Sequence, residues 1–294
     1  MAVLSMFFSG AALAAEPKVL EPTSDWTLDY GEERCSLIRD FGQLNEEGLG
    51  LRIDSYGSLA SFRISLIGDL VPRNRRPVSN IAYSQSPDTE LRTDIGALNG
   101  TIGEFRSIQF SVAFLPAQVE KEQNVAVRPT DNEALGEAAA PNQIDLQFES
   151  LVDSFTVEMR RGRPIRLETG PIGPALEAMR HCVDDLRASW GLNPEQQRLI
   201  SRRAFPNADA VRAVTESYPD SLAWRGTNGF IPLRVMVPAS GLATQCVVQL
   251  PNAPEAFAEA ACDRLGNNFN PALDENGEPI DSFYQTSVLY LVRN

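Results

Sequence analysis

The stretch GFIPLRVMVPASGLATQCVVQL, residues 229–250, carries the most informative pattern in this chain. Ile231, Leu233, Val235 and Val237 alternate with Pro232, Arg234, Met236 and Pro238. After a turn at Ser240-Gly241, Cys246, Val248 and Leu250 alternate with Gln245, Val247 and Gln249. Two period-2 runs joined by a short Gly-containing turn predict a β-hairpin with one apolar face. Downstream, Asn252 with Glu255 three residues later reads as a capping box. Ala256, Phe257, Ala260, Ala261 and Leu265 then form an apolar helical face. Asp274 to Gly277 is a turn, and Tyr284 to Val292 reads as a last strand. The order is strand, strand, helix, strand.

Upstream, the chain is strand-rich from about Trp26 to Glu168. Gly50 to Ile53 opens one strand. Phe62, Ile64 and Leu66 alternate with Arg63, Ser65 and Ile67, a mostly period-2 pattern, and Ile108, Phe110, Val112 and Phe114 alternate with Gln109, Ser111 and Ala113. Ile144, Leu146 and Phe148 show the same alternation and are read as a strand. Phe155, Val157 and Met159 lead through Arg161-Gly162 to Ile165 and Leu167. Many short strands divided by Gly, Pro and Asn point to an antiparallel sandwich or barrel. The acidic, Ala-rich stretch from Gln118 to Asn142 reads as a long surface loop.

Between the two strand zones the period changes. Leu176, Met179, Val183 and Leu186, with Cys182 beside them, recur at helical spacing after Pro171 and Pro174. Gly191 is a stop, and a second short helix begins near Pro194 and runs to Ser201. Helices of this length are marginal alone in water, so they must pack on a sheet. The expected fold class is α+β: a β-rich, sandwich- or barrel-like domain over 24–170, a helical connector over 171–205, and a small ββαβ domain over 215–294.

Composition bounds the function. With 43% hydrophobic and 22% charged residues, the 294-residue chain can bury a core. A formal net charge of −13 repels phosphate backbones, so no nucleic-acid role is expected. The basic groups Arg73, Arg75, Arg76 and Arg160, Arg161, Arg163 read as solvated turns. Residues 1–15 are apolar and small, with Ala12-Leu13-Ala14 as a cleavage pattern, and read as a signal peptide. No Lys or Arg precedes that run, which leaves open a start placed too late or a buried N-terminal segment. No other stretch approaches the about 18 apolar residues of a membrane span, so none is expected after cleavage.

No nucleophile elbow, phosphate loop, zinc helix or dinucleotide glycine pattern is present, and no catalytic residue is named. His181, the single histidine, lies about 200° round its helix from Met179 and reads as a surface residue. Asp54-Ser55 and Asp153-Ser154 lack the glycine of aspartic-protease triplets. No metal site or cofactor is expected. Trp190 and Trp224 flank the junction of the zones and read as core packing, with a binding ledge as the alternative.

Residues 218–294 resemble the TonB C-terminal domain family. The likeness rests on Tyr218-Pro219, Gly229 before the strand Ile231–Val237, Ser240-Gly241 and the strand Thr244–Leu250. It continues through Pro254-Glu255-Ala256-Phe257, then Phe269-Asn270-Pro271-Ala272-Leu273-Asp274 with Gly277, and the strand Val288–Val292. The resemblance implies a small antiparallel sheet carrying one helix. It also implies that the last strand adds onto a peptide of an outer-membrane receptor, making Tyr284, Gln285, Thr286, Ser287, Val288, Leu289 and Tyr290 the partner-binding edge. The family's anchor and Pro-rich spacer have no counterpart here, so energy transduction is not expected. Pro232 also departs from the pattern and would interrupt a central strand, delaying its start by one or two residues. Cys182, Asp184, Asp185, Leu186, Trp190 and Gly191 carry a looser likeness to envelope proteins of sphingomonad-type bacteria.

Four cysteines in an exported chain imply two disulfides. Cys246 on the hairpin and Cys262 on the covering helix suit a strand-to-helix bond, leaving Cys35 for Cys182. The expectation is a non-catalytic periplasmic interaction protein, monomeric or paired through its last strands, that binds an envelope partner such as a TonB-dependent receptor. The alternatives are a periplasmic hydrolase using the β-rich domain and a structural envelope protein that dimerises through its tail.

Overall fold

The computed structural model describes residues 15–42, 47–119, 143–216, 218–223, 229–250 and 254–291. The expected signal peptide, the stretch 120–142, Trp224, Asn252 and Val292 lie outside the described residues. The chain is a mixed α+β protein, mostly strands, with one large curled sheet and a few helices.

The first half runs β1 (Lys18–Leu20), β2 (Thr27–Tyr30), β3 (Cys35–Phe41), β4 (Leu49–Ser55), β5 (Phe62–Ile67), β6 (Val78–Gln85), β7 (Arg92–Ile102) and β8 (Phe105–Val112). Then come α1 (Leu146–Leu151), β9 (Ser154–Met159) and β10 (Ile165–Glu168). Among the described residues these strands form one sheet ordered β1-β10-β9-β6-β7-β8-β5-β4-β3-β2. All neighbours are antiparallel except β1 with β10.

The two ends of that order belong to one piece of chain. Past β1, Pro22 bridges Phe41, and the Thr23 N–H donates to the Asp40 carbonyl at 2.8 Å. β4 holds one edge of β3 along its whole length, so this contact uses the edge that β2 also occupies. Residues 18–30 therefore span from β10 to β3 and bring the sheet round on itself. Closure leaves fewer exposed pairing groups. The register aligns Leu37, Ile53, Ile64 and Phe110 across four strands, and all are buried inside. Phe62, Phe114 and Phe155 interlock there at ring separations of 5.3 and 5.8 Å.

One expected strand is a helix. Ile144 is 41% exposed and Leu146 64% exposed, so their alternation with Phe148 marks no buried face. The Asp145 side chain accepts from the Phe148 N–H at 2.8 Å, which caps α1 and overrides the period-2 pattern.

The second half runs α2 (Gly173–Ser189), α3 (Pro194–Arg198), β11 (Ile200–Arg202), β12 (Phe205–Pro206), α4 (Ala208–Glu216) and α5 (Asp220–Ala223). It ends with β13 (Gly229–Val237), β14 (Gln245–Val248), α6 (Glu255–Leu265), β15 (Phe269–Asn270), β16 (Ala272–Asp274), β17 (Pro279–Ile280) and β18 (Ser282–Tyr290). Leu176, Met179, Val183 and Leu186 are buried as one stripe of α2, which packs on β2 and β3. Each such side chain contributes about 1.5–3 kcal/mol of burial. Gly191 ends the turn with φ +84°. The second helix is shorter than its sequence suggests. It stops at Arg198, and Ile200–Arg202 pairs with β16 instead. Among the described residues no helix is long and apolar enough to cross a membrane.

In the small sheet β13 is central, flanked by β14 and β18, both antiparallel to it. Phe257, Ala261 and Leu265 of α6 are buried against it, and Phe257 stacks on Tyr290 at 4.7 Å. A β-carbon at Gly229 would lie 2.5 Å from the Phe257 ring, so the start of β13 requires glycine. Pro254 caps α6 with no side-chain hydrogen bond.

Pro232 neither delays nor breaks β13. Its carbonyl accepts from the Gln249 N–H at 2.9 Å, so its backbone faces the end of β14. In an antiparallel pair a residue's N–H and C=O point to the same side. The missing N–H therefore falls where β14 stops, and pairing with β18 is intact from Gly229 to Val237.

Two disulfides staple the molecule, Cys35–Cys182 and Cys246–Cys262, with Cα separations of 6.1 and 5.9 Å. Their sequence separations are 147 and 16 residues, so chain entropy assigns them about 5 and about 3 kcal/mol. Urea titration of the paired serine variants is expected to show the larger loss for Cys35/Cys182. The reverse order would contradict a loop-length origin.

Candidate functional site

The face of the small sheet opposite α6 carries Phe230, Pro232, Arg234 and Met236 of β13, with Phe283, Gln285, Ser287 and Leu289 of β18. This face docks on the outside of the large sheet. The buried Arg234 donates to both oxygens of Glu33 at 3.0 and 2.8 Å and lies 4.2 Å from the Trp190 ring centre. Trp190 meets Phe283 edge-on at 5.3 Å. The Arg187 guanidinium donates twice to the Gly57 carbonyl, at 2.9 and 2.7 Å. Gly57 has φ +101°, and a β-carbon there would sit 2.8 Å from Trp190. Trp190 is thus a packing residue of this junction.

Beside the docked face lies a cleft of about 840 Å3. One wall is Asp54, Arg63 and the 56–62 turn; the other is Ser282–Ser287 of β18, and residues 197–205 lie at its end. The cleft therefore runs along the edge of a strand.

That edge is unpaired. Met236 and Pro232 direct their carbonyls to the β14 side, so odd-numbered residues of β13 bond to β18. Their partners are Ser282, Tyr284, Thr286, Val288 and Tyr290. The backbone groups of Phe283, Gln285, Ser287 and Leu289 then point outward. Among the described residues nothing hydrogen-bonds to these outward groups. Of the residues the sequence marks as a partner-binding edge, Gln285, Ser287 and Leu289 present free backbone. Tyr284, Thr286, Val288 and Tyr290 turn theirs inward, and their side chains lie on the α6 face.

The cleft is cationic. Arg63, Arg180, Arg187, Arg198 and Arg203 line it, against Asp54 as the one carboxylate among its described lining residues. Asp54 is buried and already engaged by the Ser36 hydroxyl at 2.6 Å and Arg52 at 3.0 Å. Arg180 pairs with Glu149, and Arg198 with Asp184 and Glu195. Arg63 and Arg187 have no carboxylate within 4.0 Å among the described residues. Arg63 instead lies 4.0 Å over the Phe230 ring. Burial lowers the Arg63 and Arg203 guanidinium pKa values and brings Arg187 down to about 10, which leaves it charged at neutral pH. Burial also raises the Tyr56 and Tyr284 hydroxyls, keeping both protonated.

His181 is exposed on α2, where it lines a second hollow that shares Leu146, Arg180 and Arg198 with the cleft and also holds Glu149 and Asp184. Asp153 accepts from the Ser86 hydroxyl in a surface turn. Arg73, Arg75, Arg76, Arg160, Arg161 and Arg163 are exposed, as their turn positions suggest. The cleft arginines are not legible in sequence: they come from four separate segments, and only Arg180 and Arg187, seven residues apart on α2, share a spacing.

No protein-family model, curated protein or solved structure matches this chain. The site's chemistry therefore rests on its own geometry. It combines a row of free backbone donors and acceptors with a wall of charge-bearing donors. Hydrogen exchange followed by NMR checks the row directly. The amides of Gln285 and Ser287 are expected to exchange at least about tenfold faster than those of Tyr284 and Thr286. Equal protection along β18 would mean its outer edge is covered.

Proposed function

We propose that this protein is an exported, non-catalytic interaction module that adds an extended segment of a periplasmic or outer-membrane partner to β18. The observation that carries this reading is the unpaired backbone at Phe283, Gln285, Ser287 and Leu289, bordering an open cleft. An edge of this kind templates another strand: main-chain hydrogen bonds supply affinity, and neighbouring pockets supply selectivity. The resemblance of residues 218–294 to the TonB C-terminal domain points the same way, since there too the last strand receives the peptide. The two disulfides are compatible with an oxidising compartment outside the cytoplasm. The docked first half makes the module a rigid receiver, because it holds β18 at a fixed place beside the cleft wall.

Proline at position 287 tests strand addition. Ser287 pairs with Pro232 in a position that exchanges no backbone hydrogen bonds with β13, and its own N–H points outward. Ser287→Pro removes that donor at an edge position where proline is tolerated. The variant is expected to keep its urea midpoint and to lose photo-crosslinks from position 285 to its envelope partner, whereas Ser287→Ala keeps them. Unchanged crosslinking in Ser287→Pro would remove β18 as the receiving edge.

A further inference from the structure

Strand addition to β18 leaves open what the incoming segment carries. Resting on that proposed addition, we infer that the cleft along β18 selects an acidic extended peptide, with ligand carboxylates meeting Arg63 and Arg187 on the large-sheet side of the added strand. Charge gives the first indication. The chain is acidic overall, with a formal net charge of −13, yet arginines dominate the cleft wall. Two of them, Arg180 and Arg198, pair with carboxylates of this chain. Among the described residues, Arg63 and Arg187 have no carboxylate at ion-pair distance.

Both of these guanidinium groups are held in place by something other than an anion. Arg63 stacks on Phe230, and Arg187 is anchored by the Gly57 carbonyl while its Nη1 makes no hydrogen bond among the described residues. Asp54 beside Arg63 is engaged by Ser36 and Arg52, and Asp184 acts on Arg187 only from beyond ion-pair distance; a buried cation with so weak a counter-charge gains from an arriving carboxylate. The planar guanidinium suits a carboxylate through paired, charge-assisted hydrogen bonds.

The placement matches a strand. Arg63 and Arg187 lie on the face shared by Phe230 and Phe283, on the large-sheet side of β18. Successive side chains of an added strand point to opposite faces. Every second residue of such a segment would therefore face Arg63 and Arg187. A polyanion without a peptide backbone fits less well, because it leaves the donors and acceptors of Gln285 and Ser287 unused.

A display library of randomised segments about seven residues long, selected on the whole chain at low salt, tests this. The expected result is enrichment of Asp and Glu. Chosen peptides should bind Arg63→Gln at least about tenfold more weakly, and should lose binding to Ser287→Pro. Arg63→Lys should restore part of the affinity, and added salt should weaken it. Selected peptides without acidic bias, still dependent on Ser287, would overturn the acidic preference and leave strand addition standing. Acidic peptides indifferent to both substitutions bind elsewhere and overturn the inference. Failure to select any peptide, with a dimer in sedimentation that Ser287→Pro dissociates, would give the edge to a second copy and overturn both.

Discussion

Arg234 is the contact that holds the parts of this molecule in their arrangement. Its guanidinium sits between the Glu33 carboxylate and the Trp190 ring, buried between the two halves of the chain. A buried cation is costly unless paired and packed, and here it has both partners. Glu33 comes from the turn before β3, Trp190 from the end of α2, and Arg234 from the middle of β13. One side chain thus ties the large sheet, its covering helix and the small sheet together. The Cys35–Cys182 bond fixes α2 against β3, so the surface that receives Arg234 is itself covalently held.

The docking has a consequence for β18. A three-stranded sheet with one helix leaves two edges and one bare face. The bare face is covered by the large sheet together with the end of α2, through Phe230, Arg234 and Phe283. The edge of β18 stays uncovered among the described residues and becomes one wall of the cleft. Exposed edges invite unwanted pairing, and proteins usually blunt them. In the strand addition proposed above, Arg63 and Arg187 would supply the selectivity that a bare edge lacks, since a segment carrying like charge would be repelled.

Burial also explains why those arginines are unusual. In the outward-facing row of the large sheet, Ser36, Asp54, Arg63 and Ser111 lie side by side across β3, β4, β5 and β8. On an uncovered sheet this row would be a solvated polar face. The second half lies over it, so Asp54 is fully enclosed and the Arg63 guanidinium loses most of its water. A polar surface stripe becomes a desolvated site only because the small sheet sits on it.

Local elements with strong periodicity are written directly in the amino-acid order. The hairpin of residues 229–250, the apolar stripe of α2 and the strands at Phe62–Ile67 and Ser154–Met159 follow from alternation or helical spacing, because side-chain direction is set by the backbone repeat. The cysteine pairing was also legible, since a strand and its covering helix bring Cys246 and Cys262 together. Ile144–Phe148 misled, because a local Asp145 cap outweighs a three-residue alternation. Pro232 misled too, because its harm depends on which neighbour its nitrogen faces. The closing of the large sheet through residues 18–30, the side of β18 that stays free, and the gathering of Arg63, Arg187 and Arg203 emerge only once the chain is folded. Those features arise from register and docking between segments far apart in the chain, which no local repeat encodes.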